Sequence, residues 1–154
     1  MSPSSSVFQD DCKPNSRPSD NSSSLAFEPS YVRILEFNQG WSRVSKDRLN
    51  ELIRLKTGWD GYRASPLNFH IAMFALQLID RLYVEGVSCP GLVPGADGTL
   101  QIEWHENQYD VELDILGAYY VKAYRYCHRT GVEEEYTLTN EFGVAWGWIQ
   151  DLKG

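Results

Sequence analysis

The apolar positions of this chain change period twice. Between about residues 45 and 86 they recur every three or four positions, past Pro90 they alternate with polar ones, and from Phe142 the helical spacing returns. In the first region Leu49, Leu52 and Ile53 follow Ser45, a good N-cap, and precede Gly58, a good terminator, which predicts a helix over 46–57. A second helix is marked by the stripe Ile71, Phe74, Ala75, Leu78, Ile79 and Leu82, with Ser65 as N-cap, Pro66 in the first turn and Gly86 as its stop. Upstream, YVRILEF at 31–37 reads as a short strand from its β-branched and aromatic content.

After the turn signals Pro94-Gly95 and Asp97-Gly98, Leu100, Ile102 and Trp104 alternate with Gln101, Glu103 and His105. Beyond Glu106-Asn107-Gln108, Tyr109, Val111, Leu113 and Ile115 alternate with Asp110, Glu112 and Asp114. Two such runs around a polar turn predict a hairpin with one buried and one wet face. A third strand is expected over 119–126 and a fourth over 134–138, then a short helix carrying Phe142, Trp146 and Ile149 behind a cap at Thr139 or Asn140. Helices grouped before antiparallel strands indicate an α+β domain. Two helices pack on one face of a three- to four-stranded antiparallel meander, and a short C-terminal helix follows.

Composition changes this picture at the N-terminus. Residues 1–30 hold ten serines and four of the seven prolines, too little apolar surface to offset ordering entropy, so they are expected to form a disordered arm ahead of a single domain at 31–154. The chain has 154 residues, enough for one domain with its own core, and no stretch approaches the ~18 apolar residues of a membrane span. Three cysteines without a CxxC pair argue against a disulfide framework or a cysteine zinc site; no cofactor is expected, and the expected location is the cytoplasm.

The formal net charge is −7, a poor basis for direct nucleic-acid binding, which rests on Lys and Arg meeting phosphates. The charge is also uneven: from Arg33 to Arg63 seven basic residues face four acidic ones, and from Gln101 onward ten acidic residues face four basic ones. Such a bipolar chain suits a protein partner, or association with its own copies.

Two constellations carry candidate chemistry. The first is Gly58-Trp59-Asp60-Gly61-Tyr62 with Arg63, a compact turn in which Asp60 can accept backbone N–H bonds and Gly61 can take positive φ. Trp59 either plugs the core or joins Tyr62 and Arg63 in an exposed patch of the residue types common at binding hot spots. The second is the polar hairpin face, where Glu103, His105, Asp110, Glu112 and Asp114 share a side with Gln101. With a two-residue loop His105 stands opposite Asp110 and Glu103 opposite Glu112; with a four-residue loop Glu103 faces Asp110 instead. Opposed carboxylates destabilise a sheet, so the cluster is read as a solvated face, a partner-binding face, or a carboxylate/His site for a divalent metal or acid–base work. Cys127-His128 is adjacent in sequence, an arrangement that seldom presents two side chains to each other.

The pairing of GWDGYRASP with PGADGTLQIEWH resembles a group of small bacterial proteins of uncharacterised activity, in which a GWDGY-like turn precedes a helix and a DG-plus-EW hairpin follows. The resemblance spans about residues 52–115 and implies membership of that group, with no activity or catalytic residue to carry over. No motif in the chain specifies a reaction. The reading favoured is a non-catalytic protein-binding module, placed by analogy among antitoxins, immunity proteins or defence inhibitors. It acts through Glu103, His105, Asp110, Glu112 and Asp114 together with Trp59, Tyr62 and Arg63. The alternative is a small metal-dependent enzyme using the carboxylate/His cluster.

Overall fold

The computed structural model describes residues 40–154, so the strand expected at 31–37 and the arm at 1–30 lie outside the described residues. The order of elements is α1 (Ser42–Ile53), α2 (Phe69–Arg81), β1 (Gly91–Pro94), β2 (Leu100–Glu106), β3 (Tyr109–Gly117), β4 (Tyr120–Cys127), β5 (Val132–Leu138) and α3 (Gly143–Asp151). The five strands form one antiparallel meander in sequence order, β1-β2-β3-β4-β5. The fold is α+β as the periodicity requires, with one strand more than expected. That strand, β1, is four residues of an edge bounded by Pro90 and Pro94, too short to show alternation. Proline is tolerated there because one side of an edge strand needs no ladder bonds.

Helix α1 starts and ends four residues earlier than its local signals suggest. Ser45 is not its cap but a buried residue one turn in, its Oγ 3.8 Å from Cys89 Sγ. The start is set instead by Trp41, whose indole Nε1 donates to the Val87 carbonyl at 3.0 Å and whose ring packs against Tyr83 and Trp104. At the other end the Leu52 carbonyl accepts from Leu67 N at 3.2 Å, which draws the incoming chain of α2 across the last turn. Helix α2 is capped by Asn68, whose Oδ1 accepts from His70 N at 2.8 Å and Ile71 N at 3.3 Å. The expected cap, Ser65, is engaged elsewhere: its N–H donates to Ala96 O at 2.8 Å and it forms a bridge with Asp97. Helix α3 has no side-chain cap from Thr139 or Asn140; the buried Phe142, 6.0 Å from the Phe74 ring, fixes its start by packing.

The hairpin β2–β3 turns through Asn107 (φ 51°) and Gln108 (φ 69°), both left-handed, the geometry that matches the twist of two-residue hairpins. This selects the first of the two registers: His105 pairs with Asp110 and Glu103 with Glu112. Leu100, Ile102, Trp104, Val111, Leu113, Ile115, Val121 and Ala123 therefore share one face, where they are buried with Leu78 and Ile79 of α2, Leu49 and Leu52 of α1, and Ala145 and Ile149 of α3. Arg125 ties α3 to this side of the sheet. It donates to Glu134 through Nε at 2.8 Å and to Asp151 at 2.6 Å, with its guanidinium 5.2 Å from the centres of the Tyr109 and Trp148 rings.

Candidate functional site: the open sheet face

Because all three helices bury their apolar stripes against one side of the sheet, no helix among the described residues covers the other side. The register arranges that side as rows across the strands. One row is Gly91, Glu103, Glu112, Tyr124 and Glu135; its neighbours are Val93, Gln101, Asp114, Lys122 and Thr137 on one side and His105, Asp110, Tyr126 and Glu133 on the other. The sequence-predicted residues Glu103, His105, Asp110, Glu112 and Asp114 are thus brought together, and Tyr124 and Tyr126 of β4 join them.

The row that ends at His105 is organised around one carboxylate. Asp110 Oδ1 lies 2.8 Å from His105 Nδ1 and Asp110 Oδ2 lies 2.8 Å from His128 Nε2, so one aspartate bridges two imidazoles. The second nitrogen of His105, Nε2, is 3.5 Å from Glu103 Oε2. A neutral imidazole carries one N–H, which leaves a lone pair against a carboxylate whichever nitrogen is protonated; only the imidazolium donates to both. The hydrogen bond with Asp110 accordingly raises the His105 pKa, with Glu103 adding to the effect against a smaller cost of burial. Partial burial works to raise the pKa of Asp110, but the hydrogen bonds from His105 and His128 prevail and hold it below the usual carboxylate range. Glu112 moves the other way, raised first by burial and then by the charge of Asp114, with Glu103 and Asp110 beyond it. Gln101 Nε2 donates to its Oε2 at 3.1 Å. The Tyr126 ring meets His128 edge-on at 4.8 Å.

His128 is the member that sequence spacing hid. It lies 18 residues from Asp110 and was conspicuous only beside Cys127, yet the two neighbours part company. Cys127 is buried on the core side and His128 reaches over the open side. The available signal was parity, since 122, 124, 126 and 128 fall on one side of β4 and its extension. Among the described residues no three His, Cys, Asp or Glu side chains converge on a point fit for a metal ion.

The second constellation does not join the first. Asp60 Oδ1 accepts from Tyr62 N at 2.9 Å and Ala64 N at 3.1 Å, Gly58 N donates to Ala64 O at 2.7 Å, and Gly58 and Gly61 carry φ of 82° and 87°. These bonds close a tight loop and lower the Asp60 pKa, through Tyr62 first and Ala64 second. Trp59 does not plug the core: it is half-buried at the rim, its Nε1 donating to Ser65 O at 2.8 Å. Tyr62 is 86% exposed and Arg63 is exposed beside it. The loop docks through Ser65 on the Ala96-Asp97 turn, and Asn68 N donates to Gly98 O at 3.0 Å, so the two halves of the motif pair GWDGYRASP and PGADG are packed on each other. That contact lies at the Leu100 end of β2, and His105 lies at the other, about 17 Å along the strand at ~3.3 Å per residue. Comparison of the chain with protein-family models, with curated proteins and with solved structures finds no match.

Proposed function

We propose that this protein is a non-catalytic protein-binding module whose open sheet face receives a partner with a basic surface. The observation that carries the reading is the side of the five-stranded sheet that no helix among the described residues covers, on which Glu103 stands directly opposite Glu112. The next row holds Glu133 and Asp110, and Asp114 and Glu135 extend the acidic surface. Opposed like charges cost stability, and a protein retains them where they serve recognition and steering. Tyr124 and Tyr126 supply half-buried aromatic area between the carboxylates, the usual complement of charge at a docking surface. The rigid loop bearing Tyr62 and Arg63 offers a separate contact for the same or a second protein, because its ordering cost is met within the monomer. Membership of the antitoxin, immunity-protein or inhibitor classes remains an analogy consistent with such a face.

The test is comparative capture from an extract of the native cell, using wild type, a Glu112→Lys/Glu135→Lys variant, and Tyr62→Ala. A basic protein held by wild type, eluted by salt and lost in the double reversal supports the reading. Equal retention by wild type and the reversal variant overturns it.

A further inference from the structure

We propose that the His105–Asp110–His128 bridge is a proton-operated control on the open face, weakening its grip on a cationic partner when His105 is protonated and releasing it to bind when His105 is neutral. This rests on the reading of that face as a docking surface.

The geometry sets out the switch. His105 has a carboxylate at each ring nitrogen, Asp110 at 2.8 Å and Glu103 at 3.5 Å, and is half exposed, so protons and partners reach it. In the imidazolium form both carboxylates are engaged by an internal cation and are poor acceptors for an incoming Lys or Arg. Loss of one proton leaves His105 bonded to only one of them, frees the other, and makes the face more negative by one charge at the point where β2 and β3 pair. Asp110 is bonded to both rings, so each ring competes for the same carboxylate.

The groups that face His105 are Glu103 on its own strand, Asp110 and Glu112 of β3, Tyr126 of β4 and His128 beyond it, and Glu133 of β5 in the same row. On the β1 side Cys89 lines a concavity of about 270 Å³ together with Glu103, His105 and Glu106. Glu106 is taken up by Ser88, through N at 3.1 Å and Oγ at 3.0 Å, and does not compete for the imidazole. Carboxylates therefore surround His105 from its own strand and from the neighbouring one, and among the described residues no Lys or Arg stands in its row.

The experiment uses the full chain carrying Cys89→Ser, which removes the thiol that lines the concavity with His105. His105 is followed by NMR of its ring while an oligolysine peptide serves as the cationic probe, at about pH 6 and about pH 8.5, on either side of imidazole titration and below that of lysine. In low salt, affinity for the peptide is expected to rise about fivefold across this interval, the effect of roughly one unit charge at contact distance in water. The His105→Gln/His128→Gln variant is expected to bind with the high-pH affinity throughout. Glu103→Gln, which keeps both rings but removes one of the two carboxylates beside His105, is expected to lower the His105 titration midpoint. Peptide binding on the face that is equally pH-dependent in the double variant, or a His105 midpoint at or below that of a free imidazole, overturns the switch and leaves the docking face standing. Absence of peptide-induced shifts at Glu112, Tyr124 and Glu135 at either pH overturns the docking face and the switch with it.

Discussion

Glu112 and Asp60 show how differently two carboxylates of one chain are used. Glu112 has its folded pKa raised by burial and by Asp114, so its ionisation opposes folding. Its neutral form favours the native state fully below the unfolded value, and that advantage is lost as pH rises through the higher folded one. Glu112→Gln, which keeps an acceptor for Gln101, is expected to stabilise the protein by a few tenths to ~1 kcal/mol at neutral pH in low salt, measured by urea unfolding. Unfolding of the variant instead would make Glu112 a structural group and remove it from the proposed docking surface. Asp60 has the opposite sign: its pKa is lowered by the Tyr62 and Ala64 amides, so its contribution is present above the unfolded pKa and lost as pH falls through the folded one. Asp60→Ala is expected to lower the urea midpoint at pH 7, with the difference from wild type closing in acid. A pH-independent difference would assign the loss to the side chain's packing and not to its charge.

Elements in this fold begin and end where packing and hydrogen bonds place them, and that can be tested at two junctions. Asn68 is the cap of α2, so Asn68→Ala is expected to cost about 0.5–2 kcal/mol while Ser65→Ala leaves the N-terminus of α2 unchanged. Equal losses of helix signal in both would restore Ser65 as the cap. In the β2–β3 turn Gln108 carries a φ of 69°, a conformation that costs a side-chain-bearing residue about 1–2 kcal/mol. Gln108→Gly relieves it against the greater entropy of glycine in the unfolded chain, for a net gain of roughly 0.5–1 kcal/mol in chemical denaturation. The β2–β3 hairpin was legible before the structure because its side-chain period and polar turn agree. The caps were not, because Ser65 is as good a cap as Asn68 in isolation and only its bond to Ala96 takes it out of the helix.

At the scale of the sheet, the helices among the described residues cover one face and leave the other, so substitutions on the two faces are expected to act differently. Leu113 is fully buried in the middle strand, and Leu113→Ala is expected to cost about 2–5 kcal/mol in unfolding free energy. Substitutions of Glu103, Glu135 or Tyr124 are expected to stay within about 1 kcal/mol while changing the salt dependence of partner association. Similar losses from both sets would mean that the open face is structurally committed. Protonation of His105 adds a stability term of known sign. Its folded pKa is raised, so the stabilisation is complete below the unfolded imidazole pKa and disappears as pH rises through the folded value. Calorimetry of wild type against His105→Gln should therefore show their difference shrinking from about pH 6 toward pH 8.5.

The alternation from Leu100 to Ile115 was enough to decide that Gln101, Glu103, His105, Asp110, Glu112 and Asp114 share a side. Successive residues of a strand point to opposite faces whatever lies around them. The stripe of α2 was likewise enough to say which of its residues enter a core. Local geometry is short-ranged, and so are these conclusions. Contacts between distant segments needed the tertiary structure. Trp41 sets the start of α1 by reaching the Val87 carbonyl, and Phe142 anchors α3 against Phe74. The Trp59–Arg63 loop docks on the Asp97 turn, away from His105. His128 arrives beside Asp110 only because β4 returns along β3, so two residues 18 apart meet at 2.8 Å. Side-chain period belongs to the backbone of a single strand, whereas a shared carboxylate depends on register between strands, which the turns and the packed face set together.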